Sequence, residues 1–189
     1  ETSGGVYKNI SVESSTNKLD VAVPRTAFGN VSCSLQTHVI QLNFIYNINT
    51  DVVDTTTTGI GSVSQSNSMA SISTGAQSSS SAKVSSKRVI KYRAGQGCHI
   101  VGSAIFTTGV VGSTQLFGVG DDVNGLFFGY NGSAFGILHR INSVNTWTAQ
   151  TSWNGDKMDG NGDSGITLDT TKGNIYMIQS QGVGGGVLE

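Results

Sequence analysis

Charge is scarce in this chain, at 12% of 189 residues, and proline occurs once, as Pro24. Long solvent-facing helices draw on Glu, Lys, Ala and Leu, so a charge-poor sequence argues against a helical protein. Formal net charge is −1 and the longest basic run is Lys87-Arg88, which argues against a sequence-independent phosphate-binding surface. A nucleic-acid partner is therefore not expected. No stretch approaches the ~20 apolar residues of a membrane span, and no signal-peptide pattern is present. Two cysteines, Cys33 and Cys98, are too few for a disulfide framework. They read as two small buried thiols, with a pair as the alternative.

What is abundant is glycine, at 26 residues, together with Ser, Thr and Asn, while 37% of the chain is hydrophobic. That apolar content is too high for disorder throughout, and a chain of this length buries about 70% of its unfolded surface on folding. The composition is that of a Gly-rich β protein. The opening "ETSGG" reads as a fragment or processed start. The ending "GGGVLE" is expected to carry Leu188-Glu189 as a cloning remnant, with the natural chain continuing beyond it.

Period-two alternation dominates the chain. In "THVIQLNFIYNI", His38, Ile40, Leu42, Phe44, Tyr46 and Ile48 share a face, with Gln41, Asn43 and Asn47 opposite and Val39 and Ile45 out of pattern. This predicts a long half-buried strand. "AKVSSKRVIKY" predicts another, and "CHIVGSAIFT", apolar on both faces, reads as a central strand. Shorter strands are expected at "GVYKNISV", "KLDVAV", "QLFGVG", "GITLD" and "NIYMIQS". Residues 49–86 are rich in Ser and Thr, yet apolar residues recur, which predicts short edge strands and a loop near Gly75 to Ser81. No fixed-period repeat points to a solenoid or propeller. The expected fold is all-β, an antiparallel β-sandwich of jelly-roll or lectin-like type. Residues 1–36 would be N-terminal strands or an arm, and 37–189 a sandwich domain truncated at its C-terminus.

The most organised stretch is "GLFFGYNGSAFGILHR", residues 125–140. A two-residue turn at Asn131-Gly132 would put Phe128 opposite Phe135 and Phe127 opposite Gly136. One face then collects Leu126, Phe128, Tyr130, Phe135, Ile137 and His139. The other holds Phe127, Gly129, Ala134, Gly136, Leu138 and Arg140. An aromatic covering a glycine would repair the ladder there. The stretch is a structural hairpin first, and a ligand platform second.

Candidate chemistry is sparse. Gly162-Asp163-Ser164-Gly165 matches the tetrapeptide around the nucleophile of chymotrypsin-like proteases, with His38 and Asp51 or Asp54 in workable order. Ile166 stands where a second glycine is expected, and the His38 context is wrong, so a turn is the simpler reading. Asp156, Asp159, Asn161 and Asp163 place oxygen ligands at alternate positions that suit Ca²⁺, with Asp121-Asp122 as conceivable additions. The glycine falls one place late for an EF-hand and no Glu closes the set, so a surface turn competes. His38, His99 and His139 are too scattered for zinc. Tyr130, Trp147 and Trp153 are the aromatic candidates for stacking on a sugar ring, against core packing as the ordinary role. Asn9, Asn30 and Asn131 head N-x-S sequons, which matter only on a secretory route.

Several segments resemble a family of β-rich structural proteins, capsid- or fibre-associated, from large double-stranded DNA viruses of algae and marine hosts. They are "SQSNSMASISTG", "SKRVIKYRAGQG", "FTTGVVGSTQLFGVGDDVNGLFFGYNGSAFGILHR", "TSWNGDKMDG" and "LDTTKGNIYMIQSQ", spanning roughly residues 64 to 181. Where a more hydrophobic strand would continue, this chain has "QSQGVGGGV". The resemblance implies a virion protein assembled in the host cell, acting in capsid or fibre assembly or host attachment, without catalytic residues. Its expected partners are copies of itself, with a trimer favoured, other virion proteins and host glycans. The alternatives are a lectin-like carbohydrate-binding module and, more remotely, a serine hydrolase using Ser164.

Overall fold

The computed structural model describes residues 38–91 and 97–180, together with two short strands, β1 (Ser11–Val12) and β2 (Leu19–Asp20), which pair antiparallel. These two fall within the strands expected at "GVYKNISV" and "KLDVAV". The expected boundary between 36 and 37, and Cys33, lie outside the described residues. The chain divides into two compact units, Glu1–Ile90 and Lys91–Glu189. Every paired strand is antiparallel, and no α-helix or closed barrel occurs among the described residues.

The Ser/Thr-rich part of the first unit folds as one hairpin inside another. Strands β3 (Val53–Thr58) and β6 (Ser81–Ser86) pair with each other, and between them β4 (Ser62–Ser66) pairs with β5 (Met69–Ser73). Asn67 and Ser68 link β4 to β5 with φ of 51° and 62°, the two positive values of a type I′ turn. The short strands and the loop before β6 match the sequence expectation. Val53, 2% exposed, is this unit's one buried hydrophobic side chain among the described residues.

The long strand expected over residues 37–48 does not form: residues 38–48 carry no strand, and Tyr46 is 91% exposed. A strand needs a neighbouring edge, and three of the carbonyls here are bonded by side chains instead. The Gln65 amide donates to the carbonyls of Phe44 and Ile45, and Arg88 donates to that of Val39. The strand expected over "AKVSSKRVIKY" ends early, at Ser86, where the Ser86 hydroxyl donates to the Arg88 carbonyl.

Among the described residues the second unit holds the larger core. β8 (Thr114–Gly120), β9 (Gly125–Asn131), β10 (Ala134–Ile141) and β11 (Val144–Ala149) form a four-stranded meander. β7 (Cys98–Ala104) pairs with β12 (Asn174–Ser180) in a separate two-stranded sheet. The sequence reading does not anticipate β11, which is joined to β10 by Asn142 and Ser143 at positive φ. β7 is no central strand: its outward Val101 is exposed. "GITLD" forms no strand either, only an isolated bridge between Thr167 and Asp159.

The hairpin exists, with its turn one residue later than expected. Asn131 pairs with Ala134, Tyr130 with Phe135 and Gly129 with Gly136, so the loop is Gly132-Ser133. Of those two only Gly132 has positive φ, 62°, the glycine-first arrangement of a type II′ turn. Moving a two-residue loop by one position slides each facing pair by two residues. Both strands therefore keep the faces that alternation assigns them. What changes is the partner of Phe127, which is Leu138 rather than Gly136. Its ring covers Gly125 and Gly120 instead.

Candidate functional site

The aromatic face of the hairpin is core. Phe106, Phe135 and Tyr176 form a buried cluster, with Phe117, Phe128, Tyr130 and Trp153 packed against it. The rings meet edge-on or tilted at centroid separations of 5.1–6.4 Å, the geometry that the ring quadrupoles favour. Tyr176 reaches this cluster from the inward side of β12. Gly102, its partner on β7, leaves space that the Phe117 ring occupies. Burial pushes the Tyr176 phenol above its ordinary value. The Tyr130 hydroxyl bonds the buried Thr170 hydroxyl at 2.8 Å, and the Thr170 carbonyl accepts from the Phe106 amide.

Of the three aromatics considered for a sugar site, two come together and the third does not. Tyr130 and Trp153 both pack, partly buried, against the buried cluster, Trp153 standing edge-on to Phe135 at 6.3 Å. Trp147 lies on the other face of the four-stranded sheet, in a row that runs Gly118, Phe127, Leu138, Trp147 across the strands. Leu138 is only 5% exposed between its aromatic neighbours. Arg140 stacks its guanidinium over Phe127 at 5.4 Å and donates to Asn145 and to the Asp121 carbonyl.

The Asp-rich loop is built as a stapled turn. Asp156 accepts the backbone amides of Met158 and Ser164, both at 2.7 Å, and Gly162 leaves space for its carboxylate. Asp159 accepts from the Asn161 amide, and Asp163 stands exposed. Met158 and Leu168 close the base through a backbone bond. The Asp156 carboxylate, one of the four proposed oxygen ligands, is thus engaged by amides of its own loop. Among the described residues no group of three or more His, Cys, Asp or Glu could hold a metal ion. The Ser164 hydroxyl bonds Asp156 and accepts from the Ile166 amide, as a turn residue does. Cys98 is a free thiol on β7.

The Asp156 carboxyl is held below its ordinary 3.8, first by the Ser164 hydroxyl and then by the two backbone amides. A group depressed on folding contributes stability above its unfolded value, lost as pH falls through the folded one. The loop should therefore keep its amide protection at Met158 and Ser164 at and somewhat below the ordinary 3.8, and lose it only as pH falls through the lower folded value. Hydrogen exchange by NMR reads this directly, and in Asp156→Ala the two amides should exchange freely already at neutral pH.

Two surface features were not legible in the sequence. On the outward side of β7 and β12, Val101 and Met177 face each other across the ladder, with Ile175 beside them at 69% exposure. In the first unit, Asn43, Tyr46, Asn47, Asn49 and Thr50 line an open bowl of about 400 Å³. Strand alternation placed Tyr46 inward, which hid the bowl. The density of Asn in "NFIYNINT" was the available signal. A smaller cleft of about 220 Å³, whose lining includes Leu126, Phe128, Ile137, Met177 and Gln179, is mostly apolar. No helix among the described residues is long and apolar enough to cross a membrane.

No known protein family, curated protein or solved structure matches the chain.

Proposed function

We propose that this protein is a structural or surface component of a virus particle that works by packing against copies of itself. The observation that carries the reading is the outward apolar ladder of Val101, Met177 and Ile175 on a two-stranded sheet. Contiguous apolar surface of this kind marks an interaction site. The two-stranded sheets among the described residues of the first unit support it too, because such ribbons are marginal by themselves in water and gain stability from a partner. The viral setting rests on the resemblance of the segments between residues 64 and 181, and with it go a sandwich of jelly-roll type, location in the virion and a trimer as the preferred assembly. No catalysis is part of this reading.

A second reading, a carbohydrate-binding module, is favoured by the bowl around Tyr46, where a nearly free aromatic ring stands among Asn amides. Sedimentation of the purified chain over a concentration series separates the two. A stable oligomer that Val101→Asp with Met177→Asp converts to single chains supports assembly. A monomer at every concentration, retained on immobilised glycans and released by Tyr46→Ala, overturns it in favour of sugar binding.

A further inference from the structure

The chain contains four Asn-Gly pairs among its described residues, at Asn124, Asn131, Asn154 and Asn161. Such a pair can rearrange without an enzyme. The glycine amide nitrogen, on losing its proton, attacks the Asn side-chain carbonyl carbon, and the bond to the side-chain nitrogen breaks with release of ammonia. The resulting five-membered succinimide is opened by water at either carbonyl, giving aspartate or isoaspartate. Water enters and ammonia leaves, and no redox partner is needed. Two structural conditions govern the rate: the glycine amide must be free, and the backbone must be able to bend into the ring.

The four sites differ sharply on those conditions. Gly132 donates its amide to the Ser113 carbonyl at 2.8 Å, and Asn131 is held in the β9 ladder on both sides. Gly125 is buried in β9 between Gly120 and Arg140. Asn124 is fixed through its amide by Asp121 and through its side chain by the Asn142 amide. At Asn161, Gly162 lies against the Asp156 carboxylate, whose charge opposes loss of the amide proton. Asn154 and Gly155 are different. Both are exposed, neither takes part in a hydrogen bond, and, apart from its two chain neighbours, nothing lies within 4 Å of the position a Gly155 side chain would occupy.

We infer that Asn154 is the site at which the folded protein modifies itself, by succinimide formation with Gly155. The product adds one negative charge to a chain of formal net charge −1, next to the Asp156 loop. As isoaspartate it also lengthens the backbone beside Trp153, which packs on Phe135. Incubating the folded full-length chain in mildly alkaline buffer, followed by peptide mapping with isoaspartate detection, tests the assignment. Asn154 should convert first, and each site whose amide must first break a hydrogen bond should lag by about fivefold per bond. In denaturant the four sites should converge, and Gly155→Ala should slow Asn154 alone. Conversion of Asn124 or Asn131 at the pace of Asn154 in the folded chain would overturn the inference. So would an intact Asn154 in folded protein after the unfolded chain has converted.

Discussion

Phe135→Ala should cost the second unit about 3–5 kcal/mol of stability, the range for removing a buried aromatic ring. Phe135 is 7% exposed and meets four rings, those of Phe106, Tyr130, Trp153 and Tyr176. Its loss therefore opens a cavity that several large, rigid neighbours cannot readily fill. Against a total stability of roughly 5–15 kcal/mol for a domain, that leaves the fold near its unfolding point. Denaturant unfolding followed by near-ultraviolet circular dichroism measures the effect. Unchanged stability would mean that this face of the hairpin is a surface platform rather than core. Trp147→Ala, on the opposite face and half-buried, should cost clearly less.

The second large effect is expected at Gly129. This residue sits mid-row across the four strands, between Leu116 on β8 and Gly136 on β10. A side chain there would fall inside the Gln115 carbonyl, which is backbone and cannot move aside by a rotamer change. Gly136 is in the same position against the Thr148 carbonyl. The adjacent glycines thus set how closely the strands approach, at the expense of strand propensity. Gly129→Val should destabilise by about 1–3 kcal/mol or more through overpacking. It should also loosen the β8 edge selectively, read as lost amide protection on β8. A variant with normal stability and protection would show that the close approach has no structural role.

The readings that succeeded rest on local chemistry. "NIYMIQS" becomes β12 without a residue to spare, and "QLFGVG" lies within β8, because alternation and flanking turn residues mark both ends. The faces of the hairpin were legible for the same reason, although its turn was not. Asn131-Gly132 carries the stronger hairpin signal, yet Gly132-Ser133 allows Tyr130 to face Phe135 inside the aromatic cluster. The failures involve partners far along the chain. Residues 38–48 alternate well, but the carbonyls of Val39, Phe44 and Ile45 are claimed by Arg88 and Gln65, which no local pattern reveals. The dispersal of Tyr130 and Trp147 to opposite faces follows from sheet topology rather than from sequence spacing. Likewise the Asp156 loop reads as a ligand set by composition, and only its hydrogen bonds identify it as a staple.

Self-association is the claim on which the functional account stands. Its most direct test is the molar mass of the purified full-length chain in solution, by size-exclusion chromatography with light scattering. The account predicts a closed oligomer, with three chains as the favoured count, stable on dilution. A single-chain mass at every concentration would contradict it.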